Sequence, residues 1–333
     1  MAYSTIIKPS DYFTPELYVG TGSSRTISTL NFQPDLVWIK NRGTNDRNSL
    51  FDAVRGAPNM LTSNTSGAND AQPSELTAFN TNGFTVNNAT SVNGSSANYV
   101  SWNWKAGTTS GIATDATTTI TPSSYSFNQT SGFSIIRYTG NGVDGAYLPH
   151  GLGASPKVMI VKRLVDAGWD WYVYHVSLGN QKYLQLNTTN AISSTDGMWG
   201  SYTPTTVNMK MSNDNQIGAS GKDYIMYCFA EKQGYSKFGS YVGNGSADGT
   251  FVYTGFKPSF LMIKKSSSAG NNWFIFNNKT AGYNPDNDYL SPNTVSAEGS
   301  TVYLDIVSNG FKLRAGESDV NTSGTYIYMA FAE

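Results

Sequence analysis

Three passages of the chain repeat a set of landmarks in one order, four of them in the first and third passages and three in the second, and this repetition limits the fold more than any single residue does. The first passage reads Tyr18-Val-Gly-Thr-Gly22, Pro34-Asp-Leu-Val-Trp-Ile-Lys40, Asn82-Gly-Phe84 and Tyr99-Val-Ser-Trp-Asn-Trp104. The second runs from Tyr138-Thr-Gly-Asn-Gly142 through Pro156-Lys-Val-Met-Ile-Val-Lys162 to Tyr224-Ile-Met-Tyr-Cys-Phe229. The third has Tyr241-Val-Gly-Asn-Gly245, Pro258-Ser-Phe-Leu-Met-Ile-Lys264, Asn309-Gly-Phe311 and Tyr326-Ile-Tyr-Met-Ala-Phe331. A period of about a hundred residues is a repeated domain, because solenoid and propeller repeats run at roughly 20 to 50. The 333 residues then divide into three units.

Every landmark reads as strand or turn. Leu36-Val-Trp-Ile39, Val158-Met-Ile-Val161 and Phe260-Leu-Met-Ile263 are short apolar runs between Pro and Lys, the pattern of a strand buried on both faces. The terminal landmark alternates. Val100, Trp102 and Trp104 share one face with Ile225, Tyr227, Phe229 and Ile327, Met329, Phe331 in the sister copies. One apolar face at period two predicts a half-buried antiparallel strand, with Trp104 in the core. Asn141-Gly142, Asn244-Gly245 and Asn309-Gly310 are expected to supply positive φ at tight connections. No segment sustains a helical period, so the expected fold is all-β: three tandem antiparallel β-sandwich or jelly-roll domains. Their boundaries are predicted at 1–107, 125–234 and 235–333, with 108–124 a Thr/Ser-rich linker. The near absence of a linker between the last two units predicts that they dock closely while the first stands further off.

Charged residues make up only 14% of the chain, with Ser, Thr, Asn and Gly in their place, while 13% are aromatic. That is a folded protein with an uncharged polar skin rather than a disordered one. A net charge of −1 without a basic stripe argues against nucleic acid. No apolar run is long enough to span a membrane as a helix, and Met1 to Phe13 lacks the features of a signal peptide.

Candidate chemistry is sparse. The single cysteine, Cys228, excludes an internal disulfide and a clustered-thiol metal site, and reads as a packing residue. His175 falls where the sister copies hold Asp52 and Asn277, which suggests turn hydrogen bonding rather than a catalytic triad. Glu231 and Glu333 close equivalent Phe-Ala-Glu tripeptides, so they read as structural. An Asp286 and Asp288 pair keeps a polysaccharide-degrading enzyme open as a third reading. No cofactor and no metal site is expected. Trp169, Trp199 and Tyr202 lie in polar loops of the second copy and have no counterparts among the landmarks; they are the ligand-binding candidates, as rings able to stack on sugar faces.

Longer stretches carry a family likeness: Pro34-Asp-Leu-Val-Trp-Ile-Lys-Asn-Arg42, Leu50-Phe-Asp-Ala-Val-Arg-Gly56, Ser101-Trp-Asn-Trp-Lys-Ala-Gly107, Trp171-Tyr-Val-Tyr-His175 and Lys237-Phe-Gly-Ser-Tyr-Val-Gly-Asn-Gly245. From about Tyr12 to Glu333 the chain resembles a repeated β-sandwich module of tail-fibre-like and other virion proteins of marine bacteriophages. The resemblance implies a concanavalin-like sandwich, a place on the virion and no known catalytic mechanism. The expected role is a non-enzymatic tail-fibre or appendage adhesin that meets host-surface polysaccharide, with capsid decoration or a tail structural role as the alternative. The expected partners are other virion proteins, and the expected assembly is a homotrimer.

Overall fold

The computed structural model describes residues 4–194, 198–199, 202–280, 284–286, 288–316 and 319–333. Each copy of the repeat forms a larger antiparallel sheet backed by a smaller one. In the first copy the larger sheet runs Phe13–Val19, Asn98–Trp104, Leu36–Asn41, Asn48–Asp52, Asn59–Thr62, Asp70–Ala71 in spatial order. Arg25–Ile27, Gly83–Val86 and Leu76–Asn80 make the smaller sheet. The second copy orders its larger sheet Ser124–Asn128, Phe133–Thr139, Asp223–Phe229, Val158–Arg163, Tyr172–His175, Lys182–Gln185, Ser193–Ser194, backed by Ala146–Pro149 paired with Asn208–Met211. The third uses Ser236–Gly243, Gly324–Phe331, Phe260–Lys265 and Trp273–Asn277, backed by Phe251–Tyr253, Gly310–Leu313 and Leu304–Val307. The all-β sandwich expectation holds.

The landmarks occupy matched places. The apolar run after each proline lies between the terminal landmark strand and a following antiparallel strand. Its two faces serve two different cores. Val37 and Ile39 pack with Phe51, Phe84 and Tyr99 inside the first sandwich. Leu36 and Trp38 point the other way, into a core built by all three copies together. Trp104, Phe229 and Phe331, the last aromatic of each terminal landmark, meet there with ring centroids 6.3, 5.8 and 5.7 Å apart. The terminal landmark strand is therefore buried on both faces rather than half-buried. Even Ser101 and Asn103 are inaccessible, and Asn103 Nδ2 donates to the Thr14 and Ser101 carbonyls.

The seams between copies repeat in a cycle. Trp171 Nε1 donates to Thr62 O (2.9 Å), Trp273 Nε1 to Gln185 O (3.0 Å), and Asn48 Nδ2, at the matching place in the first copy, to Ser291 O (3.3 Å). Each of these three residues takes its own backbone N–H to an asparagine, Asn187, Asn293 or Asn64. The buried landmark lysines follow the same rule: Lys162 Nζ reaches Ser66 O, Lys264 reaches Thr189 O and Lys40 reaches Val295 O. Backbone bonds complete it, from Asn69 N to Leu164 O, Ile192 N to Ser266 O and Glu298 N to Arg42 O. The first copy does not stand apart. It closes the ring with the third, because its inward face is as apolar as the others and only a neighbour's inward face can cover it.

Residues 108–124, expected as a linker, form an ordered strap along the second sandwich. Thr108 pairs with Phe127, Thr119 and Ile120 donate to the Tyr147 carbonyl, and the Ile120 side chain enters that sandwich's core. Among the described residues no helix is long and apolar enough to cross a membrane.

Candidate functional site

The structure does not gather the three loop aromatics. Trp199 is 1% exposed and packs edge-on against Tyr174, 5.8 Å between centroids, within the core of the second sandwich. Buried in this way it offers no face to a ligand, so that candidate is corrected to a core residue. Trp169 is half-buried on the loop before Tyr172–His175, its ring under the Arg163 guanidinium at 4.5 Å. Tyr202, also half-buried, meets Tyr147 edge-on at 5.3 Å.

A different recess lies where the strap joins the first two sandwiches. Gln33, Asp35, Ala53 and Val54 line it from the first copy, Gly107 and Thr109 from around the start of the strap, Ser123 from near its end, and Ser124, Tyr125 and Ser126 from the strand that follows. Its volume is about 510 Å³, within the range of small-ligand sites. That last strand extends the second larger sheet beyond Phe133–Thr139, an addition for which the third copy has no counterpart, since Ser236–Gly243 is the edge there. The recess therefore belongs to the part of the chain that departs from the repeat.

Asp35 sits at the bottom. One carboxylate oxygen accepts from Ala106 N (2.8 Å) and the other from Ser126 Oγ (3.1 Å). Burial raises its pKa, and the Ala106 and Ser126 donors and the Lys105 charge partly offset that rise. Tyr125 is half-buried, with its hydroxyl accepting from Ile112 N (3.2 Å) and its ring against Phe127 at 6.0 Å. Gln33 is exposed at the rim. No lysine or arginine lines the recess. It mixes polar and apolar surface, has Asp35 as its one carboxyl and has one aromatic wall. Sequence reasoning missed it because Asp35 resembles any residue that opens a strand, and because the strap looks like a spacer.

The other titratable groups that the sequence singles out lie outside this recess. His150 and His175 each accept a turn N–H at Nδ1 and donate from Nε2 to a carbonyl, of Thr205 and Tyr328 respectively; burial lowers both pKa values to about 4. Cys228 is buried and its thiol is pushed up to about 12. Asp286 is buried too, raised to about 7 chiefly by loss of solvent, while Asp288 pairs with Arg42 at 4.0 Å. Glu231 takes Lys237 Nζ at 2.7 Å, and Glu333 pairs with Lys279 at 2.9 Å. Among the described residues no group of three or more His, Cys, Asp or Glu side chains is placed to hold a metal ion.

A family model matches the chain over residues 8–333. The chain belongs to the DUF7483 family, a domain of unknown function. The DUF7483 match takes in all three sandwiches and the strap as one continuous stretch, and the sandwiches in turn share one core. No curated protein and no solved structure matches the chain.

Proposed function

We propose that this chain is a non-enzymatic bacteriophage virion protein, a tail-fibre or appendage adhesin whose surface recesses meet host-surface glycans. The observation that carries the reading is the contrast between core and seam. Most of the conspicuous residues are consumed by packing, while an open, nearly uncharged recess persists at the one junction that breaks the repeat. A rigid body with a polar skin suits a particle that must survive outside a cell, and weak sugar contacts gain strength when many copies present them together.

A second reading, attachment to neighbouring virion proteins on the capsid or tail, is favoured by an exposed apolar patch on the third sandwich. Val242 is 64% exposed, Phe251 47% and Tyr253 57%, and the Thr250 hydroxyl bonded to Val242 O holds their strands together. Such surface is more often a protein contact than bare skin.

Antibody against the purified chain, followed by electron microscopy of virions, tests both. Label on tail tips or fibres, with binding of the protein to host cells, is the adhesin outcome. Label over the shell without host binding transfers the function to decoration, and its absence from particles removes both. Homotrimeric assembly, the state expected of an appendage, is checked by light scattering; a mass of one chain would exclude it.

A further inference from the structure

We propose that the recess at the strap junction binds a neutral saccharide, with Tyr125 as the stacking wall and Asp35, Gln33 and the Ser123 and Ser124 hydroxyls as partners for sugar hydroxyls. The inference rests on the adhesin reading for its biological setting, but the chemistry is local. A pyranose needs a flat apolar face and a ring of directional polar groups, since its C–H faces stack on aromatic rings while its hydroxyls both donate and accept. The recess supplies both. Each Asp35 oxygen already accepts one hydrogen bond and keeps a further lone pair, so the carboxylate can take hydroxyl donors. Gln33 offers an amide that donates and accepts.

Charge selects among ligands. With no cationic side chain lining the recess and a buried carboxylate at its base, an anionic sugar or a phosphate would meet that carboxylate with no lysine or arginine of the lining to pair with. A purely apolar ligand would leave the Gln33 amide and the Ser123 and Ser124 hydroxyls without partners on the ligand, whereas a sugar meets both the polar and the apolar parts of the lining. The matched seams lack the device. Asp35 is replaced by Lys157 in the second copy and by Ser259 in the third, and Ser259 Oγ is spent on Phe331 O.

Saturation-transfer NMR on the full chain tests the assignment, with maltose, cellobiose and lactose as neutral probes and glucuronate and inorganic phosphate as anionic ones. Transfer to at least one neutral disaccharide is expected. The Tyr125→Ala change should weaken it about tenfold, and Gln33→Ala, at an exposed side chain that the fold does not need, a few-fold. No transfer to any neutral probe, transfer unchanged in Gln33→Ala and in a folded Tyr125→Ala, or preference for glucuronate or phosphate would each overturn the proposal. Host-cell binding without sugar transfer would sink the recess and spare the adhesin. Sugar transfer by a protein absent from virions would do the reverse.

Discussion

Asp52, His175 and Asn277 hold one position in the three copies, and all three do the same work. Asp52 accepts the N–H of Arg55, His175 that of Ser177, and Asn277 those of Lys279 and Thr280. Turn bonding was therefore legible from the exchange of side chains among sister copies. What each adds across the seam was not. Asp52 anchors Arg55 and accepts from Tyr227 of the second sandwich, whereas His175 Nε2 donates to Tyr328 O of the third. Because burial lowers the His175 pKa from 6.5 to about 4, the unfolded chain takes up a proton in that interval that the folded one refuses. Stability from this residue is complete above about pH 6.5 and is lost as pH falls towards 4, by up to about 3 kcal/mol. His175→Asn, which copies the third sandwich, should cost about 1 kcal/mol near neutral pH through the lost Tyr328 bond. Towards pH 4.5 that penalty should vanish or reverse, because only the wild type carries the titrating ring. Urea denaturation of both proteins across this range measures the difference, and a penalty that stays constant with pH would show that His175 is not buried neutral. Trp199 marks the limit of reading at this scale: a polar loop sequence gives no sign that its tryptophan turns inward onto Tyr174.

The Tyr-x-Gly landmark recurs because of the element it ends. A Cβ at Gly20 would lie 2.1 Å from Gly94 O, at Gly140 2.3 Å from Ala219 O, and at Gly243 2.3 Å from Thr322 O. In each copy the strand end passes against the backbone of the loop before the terminal strand, and only a hydrogen fits between them. The following glycines, Gly22, Gly142 and Gly245, have φ near +70°, and so far the turn reading was right for Asn141-Gly142 and Asn244-Gly245. Gly310 departs from it. Its φ is not in the left-handed region, and it is glycine because a Cβ would meet Val252 O at 2.0 Å. Sequence identifies such a glycine but not which constraint selects it, because close approach involves a partner strand far along the chain. The two constraints separate by mutation. Gly245→Ala, with open space and φ of +66°, should cost about 1 kcal/mol. Gly243→Ala must push the Asn321–Thr322 backbone aside and should cost about 2 to 3 kcal/mol or more. Denaturant midpoints of the two variants decide it; a larger loss for Gly245→Ala would mean the strand end is looser than described.

At the scale of the whole molecule, the all-β sandwich character was legible and the shared core was not. The alternation of Val100, Trp102 and Trp104 was read correctly as an apolar face, but period two cannot tell a sandwich interior from a contact between sandwiches. The interior proved to be the opposite face, through Tyr99, and the tryptophans went to the shared core. Cut loose, a single sandwich would expose that face: for residues 125–234 it includes Phe133, Ile160, Trp171, Tyr227 and Phe229. Exposing several large side chains forfeits roughly 1.5 to 3 kcal/mol for each, a sum comparable to the whole stability of a domain. The three sandwiches should therefore unfold together despite their separate sheets. Scanning calorimetry should give one transition whose van't Hoff and calorimetric enthalpies agree. Phe229→Ala, at the ring cluster with Trp104 and Phe331, should shift that transition as a unit, at a cost of about 3 to 5 kcal/mol. Two or three resolved transitions, with only one moved by Phe229→Ala, would show that the shared core does not couple the sandwiches. A folded, monomeric 125–234 fragment would show the same more directly, since it would mean the inward face tolerates water.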